Sequence, residues 1–249
     1  MEQNKPLISC KCITYGRVHF LEEAIESFLK QEYSGKKELI IVNDYPKQNL
    51  VFNHPEIKIY NLDKTFKTIG EKENFAVNKC SGNLIAVWDD DDIALPNHLE
   101  NIAKYMKNND LLHWGKAIFM NDDKITDITG VGNSGIVYTK KVWEEVGYHP
   151  HENAGYDMTF VFKIKSKKNP KVITAMPENN EVSWVYAWGG RGYHMSGQGT
   201  DTNNRPNVIQ RHSEYIEEQV MLGNIPTGLI NLKPKWKQDY VNLLQNFNK

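Results

Sequence analysis

The sequence predicts an α/β fold in which a parallel sheet is covered by helices on both faces. Two continuous apolar runs, at residues 39–42 and 84–88, are typical of strands that are buried on both sides. Residues 20–29 place apolar side chains at the spacing of an amphipathic helix. Strand and helix signals alternate through the first half of the chain, and that order of elements builds a parallel sheet.

The elements of the first half follow in a regular order. Residues 7–13 form the first predicted strand, the helix at 20–29 follows it, and 39–42 is the second strand. An alternating pattern at 57–62 predicts a third strand, and 71–80 predicts a helix that ends before Gly82. The strand at 84–88 leads to a helix that Pro96 opens, since proline is favoured at a first helical position.

The second half is less regular. The segments 117–120 and 125–128 flank a turn and predict a hairpin, 135–139 predicts a strand, and 140–146 predicts a helix that ends at Gly147. A helix at 157–168, a strand at 182–188 and a glycine-rich loop at 189–197 follow. The aromatic residues that alternate along the last strand, Trp184, Tyr186 and Trp188, are interpreted as core rather than as a platform for a sugar. The pattern changes near Asp110 without a linker, so we expect two lobes that share one sheet.

Composition and charge exclude several classes of protein. The 249 residues are 40% hydrophobic and 24% charged, which disfavours disorder, collagen and coiled coil. Thirty Lys and Arg against 31 Asp and Glu give a net charge of -1, which argues against a protein that binds nucleic acid mainly by charge. Three cysteines without metal spacing are interpreted as small buried hydrophobic residues in a reducing compartment. Without a signal-peptide pattern or an apolar run near the roughly 20 residues of a membrane span, we expect a cytoplasmic protein with no transmembrane segment.

Polar residues follow each predicted strand, and ligands of such sheets bind beyond the carboxyl ends of the strands. Four aspartates, Asp89 to Asp92, follow the strand at 84–88. Adjacent carboxylates at the end of a buried strand need a compensating cation, and a hard divalent ion completed by a diphosphate would supply it. The alternative is an acidic turn that caps the next helix, although one aspartate would suffice for that. Asp44, after the second strand, is either a turn residue before Pro46 or a carboxylate for the base or ribose of a nucleotide.

The motifs resemble those of family 2 glycosyltransferases of GT-A fold, in the same order. They are Thr14-Tyr15-Gly16-Arg17, Val42-Asn43-Asp44, the helix start at 70–74, the run at 87–92, the segment 134–148 and Gly155-Tyr156-Asp157. The resemblance covers roughly residues 6–197. It implies a Rossmann-like nucleotide-sugar-binding half at 1–110, whose mixed central sheet continues into an acceptor-binding half at 111–205 that carries the catalytic base. Residues 206–249 would form a C-terminal helical extension.

The resemblance also implies roles for individual residues. Asp89 and Asp91 match the family's Asp-x-Asp motif, and Asp91 is the expected direct ligand of Mn2+ or Mg2+. Asp157 matches the catalytic base; considered alone, it would be a helix N-cap. His194 matches a position for a further metal or diphosphate contact, and its alternative is a surface turn. The residues expected around the nucleotide are Thr14, Tyr15, Arg17, Asp44, Lys72, Asn74, Asp89 and Asp90.

Three positions depart from the family pattern. Where the family often has Ala-Arg-Asn, this chain has Lys72-Glu73-Asn74, so the arginine is missing. Where the family usually has Glu before the base, this chain has Tyr156, and an Asp-Asp pair is Asn43-Asp44 here. We expect these departures to bear on donor identity more than on fold.

The expected function is metal-dependent, inverting transfer of a sugar from a nucleotide-sugar donor, in the first place a UDP-sugar, to a hydroxyl of a surface glycan or lipid-linked sugar. The alternatives are a modified DNA base as acceptor, a nucleotidyltransferase, or a noncatalytic nucleotide-sugar-binding module. A nucleotidyltransferase would usually need a longer basic glycine-rich loop after the first strand. The C-terminal segment carries Trp236, Tyr240 and Phe247 at helical spacing. It is expected to dock on the catalytic domain or on a second subunit as a homodimer; contact with an anionic membrane surface, as a peripheral protein, or with DNA is the alternative.

Overall fold

The computed structural model describes residues 5–121, 124–130, 135–188 and 208–247, and within these ranges the chain has the predicted α/β architecture. Its strands are β1 (Ile8–Thr14), β2 (Lys37–Asn43), β3 (Gln48–Val51), β4 (Ile57–Asn61), β5 (Leu84–Val87), β6 (Ile93–Ala94), β7 (Leu111–Trp114), β8 (Ala117–Asn121), β9 (Lys124–Thr129), β10 (Val137–Thr139), β11 (Val172–Ala175), β12 (Trp184–Trp188) and β13 (Gly228–Asn231). Its helices are α1 (Val18–Leu29), α2 (Ile69–Lys79), α3 (His98–Tyr105), α4 (Lys140–Glu145), α5 (Tyr156–Lys165), α6 (Val208–Met221) and α7 (Tyr240–Phe247).

The central sheet has seven strands in the order β11-β7-β10-β5-β1-β2-β4. Strands β4, β2, β1 and β5 run parallel, whereas β10 lies antiparallel between β5 and β7. The sheet is therefore mixed and continues from the first half of the chain into the second, as predicted. Because β1, β2 and β5 are parallel, the segments that follow them emerge at one edge.

Helices cover both faces of this sheet. On one face, α1 and α3 bury Leu21, Phe28 and Leu99 against Cys10 and Cys12 of β1. On the other face, α2, α4 and α5 pack against β2, β5, β7 and β10 through a second apolar cluster. All three cysteines lie within the described ranges and are buried and free, as predicted.

A second sheet, β6-β12-β8-β9, joins the turn after β5 to the second half of the chain. The hairpin of β8 and β9 is confirmed, and Trp184 is a core residue with 1% of its surface exposed. β12 pairs with β6, which directly follows the four aspartates. The aspartate turn is therefore anchored on both sides by strands.

The C-terminal residues 208–247 dock on the first half of the chain, in line with the first of the expected alternatives. In α7, the hydroxyl of Tyr240 donates to Glu23 of α1, and just before it Trp236 Nε1 donates to Ser27 Oγ at 2.9 Å. β13 pairs with β3 in a two-stranded parallel sheet. In α6, Ile216 packs on Gly16, where φ is +73° and an added Cβ would lie 2.6 Å from the isoleucine. No helix in the described part of the chain is long and apolar enough to cross a membrane.

Candidate active site

The aspartate run emerges from β5 at the carboxyl edge of the sheet. Trp88 holds this exit in place, since its backbone N–H donates to Lys11 of β1 at 2.9 Å and its indole N–H donates to the carbonyl of Ala24 at 2.9 Å. At the end of the run, Asp92 Oδ1 accepts from the backbone N–H of Ala187 in β12 at 3.0 Å. Asp92 therefore ties the turn to the second sheet, and Asp89, Asp90 and Asp91 remain for the site.

Arg17 compensates two of these three carboxylates. Its Nη1 lies 2.8 Å from Asp91 Oδ2 and its Nε lies 3.1 Å from Asp90 Oδ2, with a further ion pair to Asp90 through Nη2. Burial lowers the pKa of Arg17, but the Asp90 and Asp91 carboxylates outweigh burial, and the pKa is raised overall. Arg17 and Asp90, which are both expected at the nucleotide, pair with each other, because clustered carboxylates attract the nearest guanidinium. Their contacts with a nucleotide stay predictions.

Even with Arg17 beside it, the aspartate run favours a second cation. Burial, followed by the charge of Asp91, raises the pKa of Asp89 to about 7. Burial also raises the pKa of Asp90 to about 6, against the effect of Arg17. Carboxylate oxygens are the ligands that Mg2+ and Mn2+ accept, so the donor set of Asp89 and Asp91 fits a hard divalent ion. Across the described ranges, no group of three or more His, Cys, Asp or Glu side chains is arranged to hold a metal, so a diphosphate would have to complete the coordination. His194 lies outside the described residues.

A cleft with a cavity volume of about 80 Å3 opens beside Arg17, which contacts this turn. Five of the eight residues predicted for the nucleotide line it: Thr14, Tyr15, Arg17, Asp44 and Lys72. The other lining residues are Ile13, Thr65, Phe66, Thr68, Ile69 and His212. The ends of β1 and β2, the loop before α2 and the C-terminal helix α6 thus meet at one cavity next to the aspartates.

A buried ion pair forms the floor of the cleft. Lys72 Nζ lies 2.5 Å from Asp44 Oδ1 and 2.7 Å from the carbonyl of Thr14. Asp44 Oδ2 also accepts from the backbone N–H of Phe66 at 3.0 Å. Lys72 on α2 therefore binds the ends of β1 and β2 together, and these contacts fix the orientation of Asp44 in the lining of the cleft.

Asn74 makes hydrogen bonds within the protein, and its contact with a nucleotide stays a prediction. Its side-chain oxygen accepts from Trp143 Nε1 at 3.0 Å and from the backbone N–H of His149 at 2.9 Å, and its amide donates to the carbonyl of His149 at 2.9 Å. It is not among the described residues that line the cleft. Because Asn74 faces the second half of the chain, it joins α2 to the segment that leads to α5.

One wall of the cleft comes from α6, which the sequence analysis did not predict as part of the site. The ring of Tyr15 lies 5.6 Å from that of His212, and its hydroxyl lies 3.1 Å from Ser213 Oγ. Tyr45 donates to Glu217 at 3.1 Å and anchors the next turn of α6. Burial and then the charge of Arg17 lower the pKa of His212 to about 3, so this imidazole is neutral. The signal in the sequence was only a short amphipathic pattern, which does not reveal where a helix docks.

Asp157 lies in the first turn of α5, on the acceptor side. Burial raises its pKa, against hydrogen bonds from the backbone N–H groups of Met158 and of Asp157 itself, which lower it. The charges of Lys11 and Glu73 act on both Asp157 and Asp89. Lys11 and Glu73 therefore lie within electrostatic range of both carboxylates, and the role of Asp157 as the base stays a prediction.

The comparison with protein families bears directly on this geometry. The model described as Glycosyl transferase family 2 matches residues 12–164. The chain belongs to this family. The match begins in β1 and ends in α5, so it spans the aspartate run, the Asp44–Lys72 pair and Asp157.

Relatives of this glycosyltransferase agree with the assignment. An uncharacterized glycosyltransferase of Bacillus subtilis, YwdF, is 25% identical in an alignment of 248 residues that covers 88% of this chain and 86% of YwdF. The UDP-Glc:alpha-D-GlcNAc-diphosphoundecaprenol beta-1,3-glucosyltransferase WfgD of Escherichia coli is 31% identical in an alignment of 125 residues that covers 48% of this chain and 49% of WfgD. The chain spans only 35% to 49% of the length of some curated relatives that it matches.

Solved structures show the same fold. TarS of S. aureus, in complex with UDP-GlcNAc, matches with a TM-score of 0.61 and 16% identity, over 84% of this chain and 66% of TarS. The mannosyltransferase PcManGT of Pyrobaculum calidifontis, in complex with GDP-Man and Mn2+, matches with a TM-score of 0.57 and 15% identity, over 90% of this chain and 72% of PcManGT. The glycosyltransferase therefore has the predicted GT-A fold.

Proposed function

We propose that this protein transfers a sugar from a nucleotide-sugar donor to an acceptor hydroxyl, with a divalent cation and with inversion at the anomeric carbon. The observation that carries the proposal is the cleft lined by Thr14, Tyr15, Arg17, Asp44 and Lys72, in which Arg17 also contacts the aspartate run at Asp90 and Asp91. Family membership and the nucleotide sugars bound by TarS and PcManGT support it. A UDP-sugar is the first donor to test, because WfgD and TarS use or bind one.

In this mechanism the cleft holds the nucleoside and the aspartate turn holds the diphosphate. Tyr15 and His212 offer aromatic surfaces for the base, and Asp44 accepts hydrogen bonds from base or ribose. When bound, Mn2+ or Mg2+ at Asp89 and Asp91 would supply charge stabilisation to the diphosphate leaving group. Arg17 adds a fixed positive charge beside it, which is already placed before the donor arrives.

Asp157 would take the proton of the acceptor hydroxyl. The acceptor oxygen forms a bond to the anomeric carbon as the bond from that carbon to the diphosphate oxygen breaks. The nucleoside diphosphate leaves with the electron pair, and the proton moves to the carboxylate of Asp157. The raised pKa of Asp157 makes it a better proton acceptor than an exposed aspartate.

The acceptor is proposed to be a surface glycan or a lipid-linked sugar, and the name of WfgD, which contains a lipid-diphosphate sugar, supports the second. The short loop after β1 favours sugar transfer over nucleotidyl transfer, which would usually need a longer basic glycine-rich loop there. Helix α1 begins at Val18, four residues after β1 ends at Thr14. The cytoplasmic location, a peripheral membrane contact, a homodimer and the role of His194 stay predictions.

The test is product formation from a panel of donors. UDP-glucose, UDP-galactose, UDP-GlcNAc and GDP-mannose are each incubated with the protein, MnCl2 or MgCl2 and lipid-linked or free sugar acceptors, and products are identified by mass spectrometry. We expect one donor to give a glycosylated product, with the anomeric inversion visible by NMR. Binding of nucleotide without transfer or hydrolysis of any donor would instead indicate a noncatalytic module.

A further inference from the structure

A buried ion pair, separate from the one under the cleft, lies between β1 and α2. Lys11 and Glu73 are in direct contact, and each side chain exposes only 2% of its surface. Removing two charges from water is costly, and well-packed apolar residues often serve stability as well or better. The pair is therefore weak evidence for stability and calls for another explanation.

Tyr156 is the third member of this cluster. Its hydroxyl donates to the second carboxylate oxygen of Glu73 at 3.2 Å. Burial and then the charge of Glu73 raise the pKa of Tyr156 well above its usual value, so the hydroxyl keeps its proton and donates at any working pH. Glu73 is thus bound by a cation from β1 on one side and by a neutral donor from α5 on the other.

Two of these three residues occupy positions at which the sequence departs from the family pattern. Glu73 stands where the pattern often has arginine, and Tyr156 stands where it usually has glutamate before the base. The structure brings both positions into contact. Here position 73 carries an anion, position 156 carries a neutral donor, and Lys11 supplies the cation. The two departures are therefore in direct contact with each other.

The contact has a direct consequence for Asp157, which follows Tyr156. Gly155, the residue before α5, has φ +73° and no side chain that could cap the helix. The first turn therefore depends on other anchors, and the hydroxyl of Tyr156 provides one from inside the protein. Successive helical residues point in directions about 100° apart, so fixing the side chain of Tyr156 fixes the direction of Asp157.

We propose that Lys11, Glu73 and Tyr156 form a positioning unit that holds the first turn of α5 and directs the carboxylate of Asp157 toward the acceptor. This inference rests on the proposed function, in which Asp157 is the base. Among the charged side chains that act on Asp157, Glu73 from α2 raises its pKa and Lys11 from β1 lowers it. Asp157 is the catalytic residue, and the three residues of the unit act through it.

The first test compares two tyrosine variants that each lose one hydroxyl. Tyr156→Phe should lower kcat for transfer by about 10- to 100-fold, the scale of a small misplacement of a reacting group. The KM of the donor, from steady-state kinetics, should stay within about twofold of the wild-type value. The affinity for UDP with MnCl2, from calorimetry, should also stay within about twofold of the wild-type value. The control is Tyr33→Phe, which removes a hydrogen bond to the carbonyl of Pro6 at 2.6 Å, away from the site, and should leave kcat unchanged. An unchanged kcat in Tyr156→Phe, or an equal loss in both variants, would overturn the positioning role.

The second test needs no substrate. The variant Lys11→Met with Glu73→Arg buries an arginine without a partner, and adding Tyr156→Glu gives that arginine an opposite charge. We expect the triple variant to unfold at a temperature at least about 5 °C above the double variant. Equal melting temperatures of the double and triple variants would contradict a direct contact between the side chains at positions 73 and 156. A wild-type protein that transfers no sugar would contradict the proposed function. The thermal comparison does not depend on sugar transfer and tests only whether the three residues act as a unit.

Discussion

Replacing Lys72 with methionine tests how much the buried ion pair between Lys72 and Asp44 contributes to stability. The substitution keeps the length and the apolar stem of the side chain but removes the charge that contacts Asp44 at 2.5 Å. Asp44 exposes 2% of its surface, so its carboxylate would stay buried with the N–H of Phe66 as its remaining described donor. The carbonyl of Thr14 would lose its contact with the ammonium group as well.

The expected magnitude follows from burial. Breaking a buried ion pair from one side costs about 3–5 kcal/mol, because the other charge is left uncompensated. For a chain of this size, that loss in the free energy of unfolding lowers the melting temperature by about 6–20 °C. Urea unfolding monitored by circular dichroism measures it directly, and the double variant Lys72→Met with Asp44→Leu should recover most of the loss because no buried charge remains.

A matched control is available on the surface. Lys47 and Glu217 also form an ion pair at 2.5 Å, but their side chains expose 55% and 36% of their surface. Lys47→Met should therefore change the free energy of unfolding by about 0–1 kcal/mol. If Lys72→Met costs no more than Lys47→Met, Asp44 is not held as a buried charge and the reasoning about the floor of the cleft is wrong.

Three further predictions concern the ligands and the pH dependence of stability. Asp44→Ala should weaken binding of UDP by about 1–3 kcal/mol, the value of a lost charged hydrogen bond, and calorimetry that shows unchanged affinity for UDP and GDP would exclude this role. Asp91→Asn should abolish turnover and its dependence on divalent cations while the melting temperature stays near that of the wild type; full activity of this variant in the presence of EDTA would refute the ligand assignment. Burial lowers the pKa of His98 to about 3, so as the pH falls the unfolded chain takes up this proton before the folded protein does. The free energy of unfolding therefore decreases as the pH falls from about 6.5 toward 3, by up to about 1.4 kcal/mol per pH unit from this residue. Urea unfolding at pH 7.5 and 5 should therefore show a steeper loss for the wild type than for His98→Phe, and equal slopes would contradict the effect.

The sequence allowed the main elements of the fold to be predicted because their signals are local. The runs at 39–42 and 84–88 are strands β2 and β5, and the spacing of 20–29 is helix α1, since hydrophobic periodicity reflects burial directly. The short strands β3, β6, β7, β11 and β13 were not predicted. Segments of two to four residues carry too little pattern to be distinguished from loops, and only pairing with distant strands makes them strands.

The site was predictable in composition but not in its pairings. The aspartate run and Asp44 were expected at strand ends and lie there. That Arg17 would neutralise Asp90 and Asp91 could not be read from the chain, because these residues are more than 70 positions apart. For the same reason Lys11 looked like one residue of a strand, and the departures at Glu73 and Tyr156 looked unrelated until their contact was seen.

The central claim is that Asp157 accepts the proton of the acceptor while the cleft and the aspartate turn hold the donor. The most direct measurement is the single-turnover rate of transfer by Asp157→Asn with the donor identified from the panel, together with its affinity for UDP and MnCl2. We expect the transfer rate to be lower by a factor of about 10²–10⁴ and the affinity for UDP and MnCl2 to be unchanged, because the substitution removes a positioned general base but no donor contact. A folded Asp157→Asn protein that transfers sugar at the wild-type rate would contradict it.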